Sequence, residues 1–92
     1  MLKKKIFTIE NFVRNLDLID GMIIETGGSE IIMNQIIESD VEYAKLYKGD
    51  KNDLLKQVDH LIKKYESDKE RWRFYDKWFF VVNSIRNAIS EF

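Results

Sequence analysis

The chain predicts an all-α fold, a small bundle of about four helices in one domain over residues 1–92. Three observations carry this. Proline is absent, so nothing forces a helix to stop. Apolar residues recur at i, i+3, i+4 and i+7 through most of the chain, the period of a helix with one buried face. Ser, Thr, Asp and Gly fall at the points where that period restarts, as helix starts and stops require.

In chain order, Met1 to Phe7 reads as a short arm, with strand character through Lys5-Ile6-Phe7. Thr8 is a candidate N-cap with Glu10 in the first turn. Ile9, Phe12, Val13, Leu16 and Ile19 then make an amphipathic stripe, and Gly21 reads as the stop. Met22-Ile23-Ile24 is too short to assign by period and reads as an extended segment near residues 22–26. A hairpin through Gly27-Gly28, pairing Met22–Glu25 with Glu30–Met33, is its rival reading. The preferred reading starts a second helix at Ser29 and carries it to about Tyr47. Its inward face holds Met33, Ile36, Ile37, Val41, Ala44 and Tyr47, with Asp40 as the misfit and Ser39-Asp40 as a place for a kink.

Lys48 to Asn52 is turn-rich, and Asp50 or Asn52 caps a third helix from about Asp53 to Glu66. Leu54, Leu55, Val58, Leu61, Ile62 and Tyr65 form its seam. Ser67 with Glu70 three residues on matches a capping box, which predicts one long fourth helix from Ser67 to Phe92. Phe74, Trp78, Val81, Ile85, Ala88 and Phe92 share one stripe of it, and Tyr75, Phe79, Val82 and Ile89 the next. The core is expected around Leu54, Val58, Leu61, Ile62, Trp78, Phe79, Val82, Ile85 and Ile89. So wide an arc also predicts a homodimer through the fourth helix, since three short helices have little surface to cover it.

Charge argues against partners drawn by a global field. Fifteen Lys and Arg face sixteen Asp and Glu, for a net −1. Without cysteine there is no disulfide, thiol nucleophile or thiolate metal ligand. The basic start Lys3-Lys4-Lys5 is not followed by the apolar stretch of a signal peptide, because Thr8, Glu10 and Asn11 interrupt it. No run approaches the roughly 18 apolar residues of a membrane span. The expectation is a cytoplasmic protein without a membrane partner, and the Ile, Lys and Asn content suits a low-GC bacterium or its phage.

Few residues point to chemistry. His60, the lone histidine, falls on the solvated side of its helix with no ligand spacing around it. Glu38 and Glu42 lie one turn apart with Asp40 between them. They read as a solvated acidic face or an acidic docking patch. Gly27-Gly28-Ser29 before a helix resembles an anion nest but lacks the spacing of any nucleotide loop. Arg71 to Trp78 interleaves cations with rings, a pattern that binds single-stranded nucleic acid when the rings are free and packs a core when they are not. A helix-turn-helix over Val41 to Tyr65 would use a recognition helix whose charges balance, which is poor for phosphate contact. Phe80 alone breaks the pattern, a large ring on the polar side of its helix with Arg73 and Lys77 before it.

With no nucleophile–base pair, metal set or phosphate loop, the chain does not read as an enzyme, and no cofactor or metal is expected. The leading reading is a small protein-binding module that docks onto a larger protein, such as an inhibitor or immunity-type protein of a phage or mobile element. Its contact residues are Phe80, Arg73, Lys77, Glu38 and Glu42. The alternative is a nucleic-acid-associated regulator.

Overall fold

Thr8 opens the first helix as its spacing predicts. Its backbone is extended and its hydroxyl accepts from the Asn11 N–H at 3.1 Å. In the computed structural model, which describes residues 6–92, the elements are α1 (Ile9–Thr26), α2 (Glu30–Ala44), α3 (Lys51–Glu66), a 3-10 turn (Lys69–Arg71) and α4 (Tyr75–Ser90). There is no strand among the described residues. The predicted arm lies outside them from Met1 to Lys5. Ile6 and Phe7 are not in a strand, and Phe7 packs on Phe12, Tyr43 and Tyr47.

α1 does not stop at Gly21. It runs on through Met22-Ile23-Ile24, so neither the extended segment nor the hairpin forms. The magnitudes explain why. Glycine inside a helix costs about 1 kcal/mol relative to alanine. Continuing the helix carries Ile23 into the core beside Phe12, Leu16 and Ile19, and full burial of such a side chain contributes about 1.5–3 kcal/mol. The true stop is Gly27, left-handed at φ 80°, whose N–H bonds back to the Ile23 carbonyl at 2.9 Å. Gly28 follows at φ 63°, and a Cβ there would stand 2.9 Å from Ile23 Cγ2.

Ser29 then caps α2 by accepting from the Ile32 N–H at 3.3 Å. α2 is one unbroken helix that ends at Ala44, three residues short of Tyr47, and there is no second start at Ser39-Asp40. Asp40 stays on the inward face and is buried with Ile36, Tyr43 and Ala44. Asp50 caps α3 through the Asn52 N–H at 3.0 Å, so that helix starts at Lys51, two residues earlier than the seam suggests.

The largest departure is at Ser67. It closes α3 where a capping box would open the next helix. Its backbone is helical, and its hydroxyl donates to the Lys64 carbonyl at 2.8 Å, so it has no extended conformation to offer as an N-cap. Packed neighbouring helices that reverse direction need a connection of several residues, and Asp68 to Phe74 supplies it. Within it Trp72 turns back to stack on Tyr65 at 4.3 Å.

α4 sits at the centre, with α2 and α3 each packed chiefly against it and α1 crossing beneath. Trp78, Val81, Val82, Ile85 and Ile89 are fully buried by the other three helices. The uncovered arc that suggested a homodimer is therefore covered within the chain over these five residues. Phe79, Phe80 and Phe92 stay exposed. Phe79, expected in the core, is 36% exposed and lies on Tyr75 at the surface. Across the α3–α4 seam Arg86 holds Asp59 with two hydrogen bonds, one of them 3.2 Å. No described helix is long and apolar enough to cross a membrane.

Asp20 is the costly residue of the interior. It is 9% exposed, and its Oδ1 is buried without a hydrogen-bond partner. Burial alone lifts its carboxyl above the usual aspartate range. The fold therefore holds that proton more tightly than the unfolded chain does. The stability tied to it is full below the unfolded value, about 3.9, and is lost as pH rises through the raised folded value. Asp20→Asn, which removes the charge at constant shape, is expected to stabilise at pH 7 by about 1 kcal/mol. That is about 4–8 °C in Tm for a domain of this size. The gain should vanish near pH 3. Thermal melts at the two pH values test it, and a variant less stable at neutral pH than the parent would refute the account.

Candidate functional site

α4 fixes Phe80 by helical rotation. Trp78, two residues earlier, points into the core, and two steps of about 100° turn Phe80 to the far side. The ring is 50% exposed, as its place on the polar side of the pattern predicts. Lys77, three residues before Phe80, is its neighbour one turn back. Its ammonium donates to the Gly27 carbonyl at 2.9 Å and so closes the C-terminal end of α1. The same ammonium lies 5.7 Å from the centre of the Phe74 ring.

Arg73 was expected two turns before Phe80 on one helical face. α4 begins only at Tyr75, so Arg73 belongs to the connection and not to that face. Its guanidinium nonetheless lies 5.5 Å from the centre of the same Phe74 ring. The site therefore has two cations within range of one half-buried ring, and an exposed ring one turn beyond Lys77 along α4. Lys69 and Trp72 line the same groove, as do the carboxylates Glu70 and Asp76.

Glu38 and Glu42 are not part of this constellation. Both are exposed on α2, and Glu42 accepts from Lys45 at 3.0 Å. They form the solvated face that their spacing allowed. His60 is exposed on α3. The glycine loop offers an anion little, since the Gly27 and Gly28 amides donate to the Ile23 carbonyl and to Thr26 Oγ1. Among the described residues no group of three or more His, Asp or Glu side chains is placed to hold a metal.

Two of the four rings in the Arg71–Trp78 stretch, Trp72 and Trp78, are occupied within the fold. Trp78 is fully buried, with its Nε1–H donating to the Leu16 carbonyl at 3.0 Å. Tyr65 is held between Trp78 at 3.8 Å and Trp72 at 4.3 Å, and its hydroxyl donates to Asp17 Oδ1 at 3.1 Å. Burial and the Asp17 charge push that hydroxyl well above the ordinary tyrosine range. α2 and α3 pack on α4 more than on each other, unlike the paired helices of a helix-turn-helix.

The grouping of Arg73 and Lys77 on Phe74 is the feature that periodicity missed. Its only sequence signal is the spacing Arg73-Phe74-x-x-Lys77, which looks the same in a continuous helix. Compared with known protein families, curated proteins and solved structures, the chain shows no match to any.

Proposed function

We propose that this protein is a small non-catalytic binding module that docks onto a larger protein through the α4 surface around Phe80. An inhibitor or immunity-type role in a phage or other mobile element is the form of that activity which suits its size and charge. One observation carries the reading. Phe80 is half exposed on a helix whose opposite face is wholly buried, so the ring adds nothing to the core that would account for it. Aromatic side chains dominate interface hot spots, and the tethered ammonium of Lys77 lies one turn from this ring.

The test is Phe80→Ala. Its Tm is expected to stay within about 4 °C of the parent, since surface changes cost about 0.5 kcal/mol or less. Capture of its partner from native host extract is expected to weaken by about 2 kcal/mol or more, roughly thirtyfold. A Tm that falls by many degrees with capture intact would place the ring in the fold and end the proposal. Tight, steeply salt-dependent binding to single-stranded DNA or RNA would replace it with a nucleic-acid role.

A further inference from the structure

α1 and α4 both end without a cation of their own. α3 carries Lys63 and Lys64 in its last turn and α2 has Lys45 at its C-cap, whereas α1 and α4 have no basic residue in their last turns. The last carbonyls of a helix lack partners within it and form the negative end of its dipole, so a cation there is favourable. Both ends receive one from a distant part of the chain. The Lys77 ammonium donates to the Gly27 carbonyl at 2.9 Å, across 50 positions. The Lys51 ammonium donates to the Ser90 carbonyl at 2.8 Å and to the Phe92 carbonyl at 3.2 Å, across 39 and 41 positions.

Two further observations set these lysines apart. Each lies in the first turn of its own helix, Lys51 as the first residue of α3 and Lys77 as the third of α4. The positive end of that helix disfavours a cation there, so local charge accounts for neither. Each is also drawn partly out of solvent, while the other lysines among the described residues are exposed. The packing at Gly28 shows the passage of the Lys77 stem, since a Cβ on that residue would stand 3.0 Å from Lys77 Cδ. We infer that Lys77 and Lys51 are two independent clasps, each carrying its charge from the start of one helix to the carbonyl end of another. Lys77 fastens the turn between α1 and α2 to α4, and Lys51 fastens the end of α4 to the start of α3. Neither bond involves Phe80, so docking and clasping can fail separately.

Amide exchange with water tests this on the full chain, read residue by residue by NMR for Lys77→Met and Lys51→Met. Methionine keeps an unbranched stem and removes the charge. Lys77→Met is expected to speed exchange of the Gly27 and Gly28 amides about fivefold or more, while the Glu91 and Phe92 amides change by less than about twofold. Lys51→Met is expected to do the reverse. Fraying of one end leaves the clasp at the other intact, whereas a general loosening of the bundle moves both sets alike. Lys77→Arg and Lys51→Arg keep the cation and are expected to recover most of the loss.

The parent chain supplies a check that no substitution can spoil. The side-chain ammonium protons of Lys77 and Lys51 are expected to exchange with water more slowly than those of the exposed Lys56. A methionine variant that leaves its own end unchanged, one that accelerates both ends, an arginine variant that behaves as the methionine one does, or equal ammonium exchange for all three lysines would each overturn the inference.

Discussion

Val82→Asp is expected to abolish the folded state. Val82 is fully buried on the inward arc of α4 between Val81 and Ile85. Placing a carboxylate there forfeits about 1.5–3 kcal/mol of apolar burial. It also adds a desolvation penalty of several kcal/mol, and among the described residues no buried cation offsets it. A domain of this length has about 5–14 kcal/mol in total. The two losses together consume most or all of that. Far-UV circular dichroism at neutral pH should show the helical signal largely lost, with part of it returning in acid as the new carboxyl protonates. Asn87→Asp is the control, because it adds the same charge to the exposed side of the same helix and should leave the spectrum unchanged. A cooperative melt for Val82→Asp close to that of the parent would show that α4 is not the centre of the core.

How much of this was legible depends on the range of the interaction. Stripes are local, and they could be read. Phe12, Leu16 and Ile19, then Leu54, Val58 and Leu61, then Trp78, Val82, Ile85 and Ile89 all occupy the interior that their spacing predicts. The caps at Thr8, Ser29 and Asp50 are local too, and each makes the bond expected of it. Gly21 misled because the cost of a glycine is visible in sequence, whereas the burial gained by Ile23 depends on helices that arrive later. Ser67 misled because Ser-x-x-Glu also fits a helix end when the hydroxyl turns back to a carbonyl. Phe79 lies on the right stripe by rotation alone, yet the ring is 36% exposed and settles on Tyr75.

The site divides the same way. The exposure of Phe80 is a rotation angle and could be read. The bond from Lys77 to Gly27 joins residues 50 positions apart and could not. Asp40 and Asp20 show the limit from the other side. Asp40 reads as a misfit in its stripe and Asp20 as the residue before a helix stop, but α2 and α1 continue past them and keep both inside.

Trp78→Ala is expected to have the next largest effect that still leaves a folded protein to measure. Trp78 is the largest fully buried side chain, and three of its relations end together. Its Nε1–H leaves the Leu16 carbonyl, which ties α4 to α1. Its face leaves Tyr65, which ties α4 to α3. Its volume leaves a cavity where α1, α3 and α4 meet, and large aromatic-to-alanine changes cost about 3–5 kcal/mol. Trp78→Phe keeps a ring for Tyr65 and loses the hydrogen bond, so it should fall between parent and alanine. Tyr65→Phe, which removes only the hydroxyl bond to Asp17, should cost about 0.5–1.5 kcal/mol. Urea unfolding read by helical signal checks the series. The midpoint should drop in the order Tyr65→Phe, Trp78→Phe, Trp78→Ala with the slope nearly constant. Trp72, stacked on Tyr65 from the other face, then serves as the remaining fluorescent reporter of the same junction. A loss below about 1 kcal/mol for Trp78→Ala would mean that the cavity collapses freely, and that the stack of Trp72, Tyr65 and Trp78 does not set the geometry of the connection that carries Arg73.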